Sequence, residues 1–139
     1  MTGKPGIDRT LIEDPYALQV LLGFAVTGWA ENYARIELPL SDRLTNRQGL
    51  PHGGIHATLL DSAMGFAGCY TGDPDHRQMA LTLSLTVNYL GQAQGGKLIA
   101  EGWRTGGGHK TYFAEGSISD STGQQVANAT GVFRYRTSG

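Results

Sequence analysis

The chain has 139 residues, a net charge of −1 and a pI of about 6.4. That length allows one domain with a substantial core, and near-neutrality gives no electrostatic footprint for nucleic acid. A single cysteine, Cys69, excludes an intrachain disulfide, and no Cys/His spacing resembles a zinc site.

Residues 1–10 read as loose. Asp14-Pro15 has the chemistry of a helix start, with Asp as N-cap and Pro at the first helical position. Tyr16 to Leu22 then form a short helix that Gly23 stops. Glu13 and Asp14 precede this apolar stretch where a signal peptide would carry positive charge, so the cytoplasm is the default compartment. Phe24 to Ala30 and Tyr33 to Leu40 read as strands joined at Glu31-Asn32. Residues 41–51 form a polar loop ending at Pro51.

A long helix is expected over 53–70. From His52 to Gly72, Asp61 is the only Asp, Glu, Lys or Arg, and most of the segment is apolar. Six polar or ionisable side chains and five glycines between those limits argue for a core helix rather than a membrane span. Apolar residues on most sides imply that the helix is enclosed. Gly53, Ala57, Asp61 and Gly65 fall on one stripe of small residues, with Gly68 near it. Something approaches that stripe closely: a partner chain, a strand or a ligand. Cys69 reads as buried filler rather than a nucleophile.

After a turn at 72–75, Leu81, Leu83, Leu85, Val87 and Tyr89 alternate with Thr82, Ser84, Thr86 and Asn88 in strict period two. Lys97 to Arg104, Thr111 to Asp120 and Gln124 to Arg136 follow as strands linked by glycine-bearing turns. Tyr112, Ala114, Gly116 and Ile118 share one face. The order is short helix, two strands, long helix, four strands. It implies an α+β domain in which an antiparallel sheet curls around the long helix.

The chemistry concentrates at Asn46 and His52-Gly53-Gly54, followed by Asp61. The Gly53-Gly54 pair at a helix N-terminus offers backbone N–H groups to developing negative charge. A lone carboxylate in an apolar helix is costly to bury without a partner or a purpose. The bland alternatives are a packed Asp61 held by neighbouring donors, a tight turn at Gly53-Gly54, and Asn46 as a turn former. Eight residues at 1.5 Å rise separate Gly53 from Asp61 by roughly 12 Å. One carbonyl cannot touch both within a single chain, so Gly53 of one copy and Asp61 of another must face each other.

This set of residues, placed on the long helix of a helix-wrapped sheet, resembles the hotdog-fold acyl-CoA thioesterases, and among them the PaaI-type group. The likeness covers residues 14–136. It implies hydrolysis of an acyl-CoA or aryl-CoA thioester in an active site shared between subunits of a dimer. Pairing of dimers into a homotetramer is also implied, and no cofactor beyond the CoA of the substrate. Asp61 matches the catalytic carboxylate, as nucleophile or general base. Gly53 matches the glycine whose N–H polarises the thioester carbonyl, with Gly54 beside it. Asn46 matches the residue that places thioester or water, and His52 the orienting histidine. Thr82 stands where related members carry a serine near the acid, although it also belongs to the polar face of a regular strand.

Lys110-Thr111 matches a basic loop used on the CoA moiety, after a glycine turn longer than usual. Lys97, Arg104, Lys110, Arg134 and Arg136 read either as solvated edge charge or as phosphate contacts, with Arg104 and Lys110 the better candidates. His56 has no partner pattern and takes no role. An acyl-CoA-binding module without turnover is the competing function. A hydratase fits less well, because His56 and Asp61, five residues apart, do not share a helix face. The acyl pocket is lined by Met64, Phe66, Met79 or Tyr89, unless these fill the core.

Overall fold

The computed structural model describes residues 4–137. Six antiparallel strands form one sheet in the order β1-β2-β4-β5-β6-β3: β1 Ala25–Ala30, β2 Tyr33–Pro39, β3 Ala80–Tyr89, β4 Lys97–Gly107, β5 Thr111–Asp120 and β6 Gln125–Tyr135. The short helix α1 spans Ala17–Leu22 and the long helix α2 spans Gly53–Gly68. The last three strands are hairpin-linked as expected, whereas β3 crosses over to pair with β6 at the sheet edge.

The helix lies on the inner face of the sheet. His56, Leu59, Leu60, Ala63, Met64 and Ala67 form its buried side. They meet Ile36 and Leu38 of β2, Leu98 and Ala100 of β4, and the predicted β5 face of Tyr112, Ala114 and Ile118. Contact with β4 is closest where Gly102 lets the backbones meet: a Cβ there would sit 2.5 Å from the Ala63 carbonyl. The wrap is not complete, however. Asp61, Ser62 and Gly65 stay half-exposed on one flank, because β3 ends the sheet there.

Aromatic residues of the sheet receive the end of α2. A helix leaves its last carbonyls unpaired, and burying them so is costly. The Trp29 indole N–H donates to Phe66 O at 2.8 Å, and the Tyr135 hydroxyl to Gly68 O at 2.6 Å. The Tyr112 hydroxyl lies 3.1 Å from the carbonyls of both Met64 and Gly65. Burial pushes the Tyr112 hydroxyl well above its ordinary pKa, and the Cys69 thiol up to about 11, so both stay protonated.

Two expectations need correction, and one left open is decided. Residues 4–10 are not loose: Lys4 reaches Glu101 at 2.7 Å, Gly6 O accepts from Trp29 N, and Asp8 caps a 3-10 turn at Arg9–Leu11. The partner of Lys4 is a carboxylate ninety-seven residues away in the chain. Residues 1–3 lie outside the described part. Asp14 does not cap α1. Tyr16 is the N-cap, and its ring packs edge-on to Phe24 at 5.9 Å while its hydroxyl lies 3.4 Å from Ser62. The small-residue stripe is met largely from within the chain. Gly53 faces the Tyr89 ring, Gly65 faces Phe133 and Gly68 faces Tyr112.

Two measurements check these contacts. A Cβ on Gly68 would fall 2.1 Å from the Tyr112 ring, whereas one on Gly96 would meet nothing within 4 Å. Gly68→Ala should lower unfolding free energy by about 1–3 kcal/mol in urea titration, and Gly96→Ala should stay within about 0.5 kcal/mol of wild type.

The second concerns Asp120, which is buried and holds the β5–β6 turn and the 92–94 loop together. Its carboxylate accepts from the Thr122 hydroxyl, and from the Gln94, Thr122 and Gln124 backbone N–H groups. These bonds hold it below the usual carboxylate range, the Thr122 hydroxyl contributing most. A carboxylate whose pKa is depressed by folding stabilises above its unfolded pKa of about 3.9 and loses that contribution as pH falls through its folded value. Below that unfolded value, the melting temperature of Asp120→Asn should therefore fall less steeply with pH than that of wild type.

Candidate active site

The 41–52 loop delivers the first half of the site. Asn46 folds it, because its Oδ1 accepts from Gln48 N at 2.9 Å and Leu50 N at 3.2 Å. That fixes the amide orientation and leaves Nδ2 without a partner among the described residues. His52 is the N-cap of α2, with Nδ1 accepting from Gly54 N at 2.8 Å. The ring is thus a helix-start group, with its proton on Nε2 when neutral. Gly53 is the first helical residue, and its N–H has no partner among the described residues. Asn46, Leu50, Gly53, His56, Tyr89 and Ala93 line a groove of about 460 Å³ over this end.

Asp61 supplies the second half, on the open flank of α2. Thr82 Oγ1 donates to Asp61 Oδ1 at 2.6 Å. Strict alternation along β3 would have turned Thr82 away from the helix. A bulge between Thr82 and Ser84 reverses the phase, so Thr82 stands opposite inward-facing Phe133 while Leu81 and Leu83 are 54% and 56% exposed. Bulges re-aim side chains in this way because two residues oppose one across the ladder. Asp61 Oδ2 keeps no partner among the described residues. It faces a cavity of about 440 Å³ lined by Tyr16, Trp29, Phe66, Met79 and Phe133, with Glu13 and Arg77 paired at 3.6 Å beside it. Of the four residues considered for an acyl pocket, Phe66 and Met79 line this cavity and Tyr89 lines the groove. Met64 is core.

The two cavities share no lining residue. Gly53 and Asp61 therefore sit in separate recesses of one chain, as the helix rise requires.

The basic residues divide by what holds them. Lys97 is tied to Glu37 at 2.7 Å. Arg104 donates through Nε to the Tyr135 hydroxyl at 3.1 Å and through Nη2 to Gly108 O at 3.3 Å, and it covers the Tyr112 ring. Its Nη1 has no partner among the described residues. Lys110 is exposed on the β4–β5 hairpin with no side-chain partner among the described residues, and Thr111 opens β5 beside it. His56 escaped the sequence reading as a site residue, and Tyr89 entered it only as a wall of the acyl pocket. The available signal for His56 was its place one turn after His52 on an otherwise apolar face.

Comparison with known proteins bears on the family and the fold. The sequence profile of the thioesterase superfamily matches residues 48–127, which contain the glycine pair, Asp61 and Thr82. A candidate esterase from Halobacterium salinarum is 32% identical over 130 residues, covering 87% of this chain and 85% of its own length. A Bacillus halodurans protein crystallised with CoA is 30% identical with a TM-score of 0.75, covering 91% of this chain and 83% of that one. The PaaI protein from the phenylacetic acid degradation operon of E. coli has a TM-score of 0.75 at 20% identity, covering 88% and 85% of the two chains, and bears on fold alone.

The His52 cap depends on a missing side chain, since a Cβ on Gly54 would lie 3.0 Å from His52 Nδ1. Gly54→Ala should displace the ring and lower stability by about 1 kcal/mol, the typical worth of an N-cap. Differential scanning calorimetry checks the loss, and the His52 side-chain NMR signals should move with it.

Proposed function

The chain belongs to the thioesterase superfamily, and we propose that it hydrolyses an acyl-CoA or aryl-CoA thioester to the free acid and CoA, at a site built from two copies of the chain. One observation carries this reading: an unpartnered N–H at a helix start and a carboxylate with one free oxygen occupy separate recesses about 12 Å apart on one helix. Each is half of what thioester hydrolysis needs. The CoA bound to the Bacillus halodurans relative supports the choice of thioester.

In this reading the thioester carbonyl oxygen sits at Gly53 N–H, where the helix dipole favours the negative charge of the tetrahedral intermediate. Asn46 Nδ2, free in the same groove, helps to place the carbonyl or the attacking water. His52 keeps the first turn in register through Gly54. Asp61 comes from the other copy. It attacks the carbonyl carbon directly, expelling CoA as thiolate and leaving an anhydride that water opens, or it takes a proton from the attacking water and passes it to the departing sulfur. Thr82 holds Oδ1 and leaves Oδ2 to react. Lys110 and Thr111 take the CoA phosphates, and Arg104 supports their hairpin.

Shared sites demand at least a dimer. The outer edge of β3, unpaired among the described residues, and the exposed Met79 in the Asp61 cavity support that assembly. Pairing of dimers gives the homotetramer.

Three variants test the reading with a panel of acyl- and aryl-CoA substrates. Asp61→Asn should lower kcat by at least about 100-fold. Gly53→Pro removes the N–H and adds a ring whose Cβ would touch Tyr89 at 3.4 Å, an ordinary contact, at a helix position that tolerates proline, and His52 already has the extended backbone that precedes one (ψ 134°). It should keep stability within about 1 kcal/mol while costing about 100- to 1,000-fold in kcat. The two inactive proteins, unfolded and refolded together in equal amounts, should regain about a quarter of wild-type activity. Half of random dimers would be mixed, with one of their two sites intact. Full activity in Asp61→Asn would sink the catalytic assignment. CoA binding without turnover by wild type would favour the binding module.

A further inference from the structure

A peptide unit is planar and trans, so its carbonyl and N–H point in opposite directions. Whatever holds the His52 carbonyl therefore aims the Gly53 N–H. Two groups hold it: Ile55 N–H at 2.9 Å and the His56 ring Nδ1 at 3.2 Å. A carbonyl only accepts, so His56 Nδ1 carries a proton. The next peptide unit is held at both ends. Gly53 O accepts from the Tyr89 hydroxyl at 2.6 Å, and Gly54 N–H donates to His52 Nδ1 at 2.8 Å. Of the four polar groups on the two peptides flanking the Gly53 Cα, three are engaged by side chains. The one left free is the Gly53 N–H.

The two outer holders also brace one another. The His56 and Tyr89 rings meet edge to face at 5.6 Å, and Tyr89 lies against the Gly53 Cα, 3.4 Å from where a Cβ would be. His56 is 6% exposed, on the side of α2 that otherwise holds Leu59, Leu60 and Ala63. A polar ring there is costly unless its hydrogen bond serves the structure or the site. Burial lowers its pKa from the ordinary histidine value, which favours the neutral ring.

We propose that His56 and Tyr89 are positioning residues that clamp the two peptides around Gly53 and so aim its N–H at the thioester carbonyl oxygen. This rests on the reading of Gly53 as the oxyanion donor. The clamp acts twice. It removes the libration of an unrestrained first helical turn, and the bond to the His52 carbonyl polarises the N–H across the same peptide. Both effects matter most when charge appears on the substrate oxygen, so they belong to the transition state rather than to binding.

The test uses the full-length protein with hexanoyl-CoA and benzoyl-CoA. His56→Leu keeps the volume and removes the donor. His56→Asn places an amide N–H where Nδ1 stands. Tyr89→Phe removes only the hydroxyl, from a ring already exposed. His56→Leu should lower kcat about 10- to 100-fold with KM within about twofold, His56→Asn should recover most of that loss, and Tyr89→Phe should cost about 10-fold in kcat. In 1H–15N spectra of the free protein, the Gly53 amide proton should move upfield in His56→Leu and return towards wild type in His56→Asn, with the Gly65 amide unmoved. Wild-type kcat in His56→Leu, a purely KM effect, or an unmoved Gly53 amide would overturn the clamp. If His56→Leu fails to fold, Tyr89→Phe with wild-type kcat and an unmoved Gly53 amide overturns it. If wild type hydrolyses neither ester, the thioesterase reading falls, and the Gly53 amide shift alone decides for or against the clamp.

Discussion

The last turns of α2 run into the sheet, where carbonyls without donors would cost far more than at a solvated helix end. Trp29 from β1, Tyr112 from β5 and Tyr135 from β6 supply the donors, at 2.6 to 3.1 Å. Donors from three strands fix the helix along its axis and about it. Depth in the sheet decides that Gly53 emerges into the groove beside Tyr89. Rotation decides that Asp61 turns towards the open flank beside β3. Arg104 belongs to the same anchorage, since it steadies the Tyr135 hydroxyl and covers Tyr112.

A helix so anchored is well satisfied at one end and deliberately unfinished at the other. Among the described residues its first N–H has no partner, and two turns later a carboxylate has a partner for one oxygen alone. Departures from local satisfaction within an otherwise consistent fold are where function is to be sought. Both recesses mix polar and apolar walls: the Asn46 amide stands with Leu50, Tyr89 and Ala93 over Gly53, and Asp61 and Ser62 stand with Phe66, Met79 and Phe133.

Much of this was legible from residue order, and the exceptions share a cause. Gly53-Gly54 and Asp61 stood out because each violates what a buried helix wants locally. The strands from Lys97 onward announced themselves by alternation and by glycine turns. What escaped depended on residues far apart in the chain. Lys4 fastens the N-terminal segment to Glu101 of β4, and no local pattern links them. Tyr16 displaced Asp14 as the cap of α1 because its ring packs on Phe24 and its hydroxyl reaches Ser62 of α2. The stripe of small residues signalled close approach but left a partner chain, a strand or a ligand as its source, and the source is Tyr89, Phe133 and Tyr112 of the chain's own sheet. His56 looked idle because its partner is a main-chain carbonyl one turn back, and side-chain patterns do not record main-chain acceptors.

The bulge in β3 has a consequence for comparing descendants of a common ancestor. One surplus residue sets the parity of the strand, and parity decides which hydroxyl reaches the acid. Lineages that lost or gained the bulge would keep the hydroxyl beside the carboxylate by exchanging residue types between adjacent positions. Ancestry and role then part company by one place: the residue that descends from the position of Thr82 would face solvent, and its neighbour would inherit the bond to the acid.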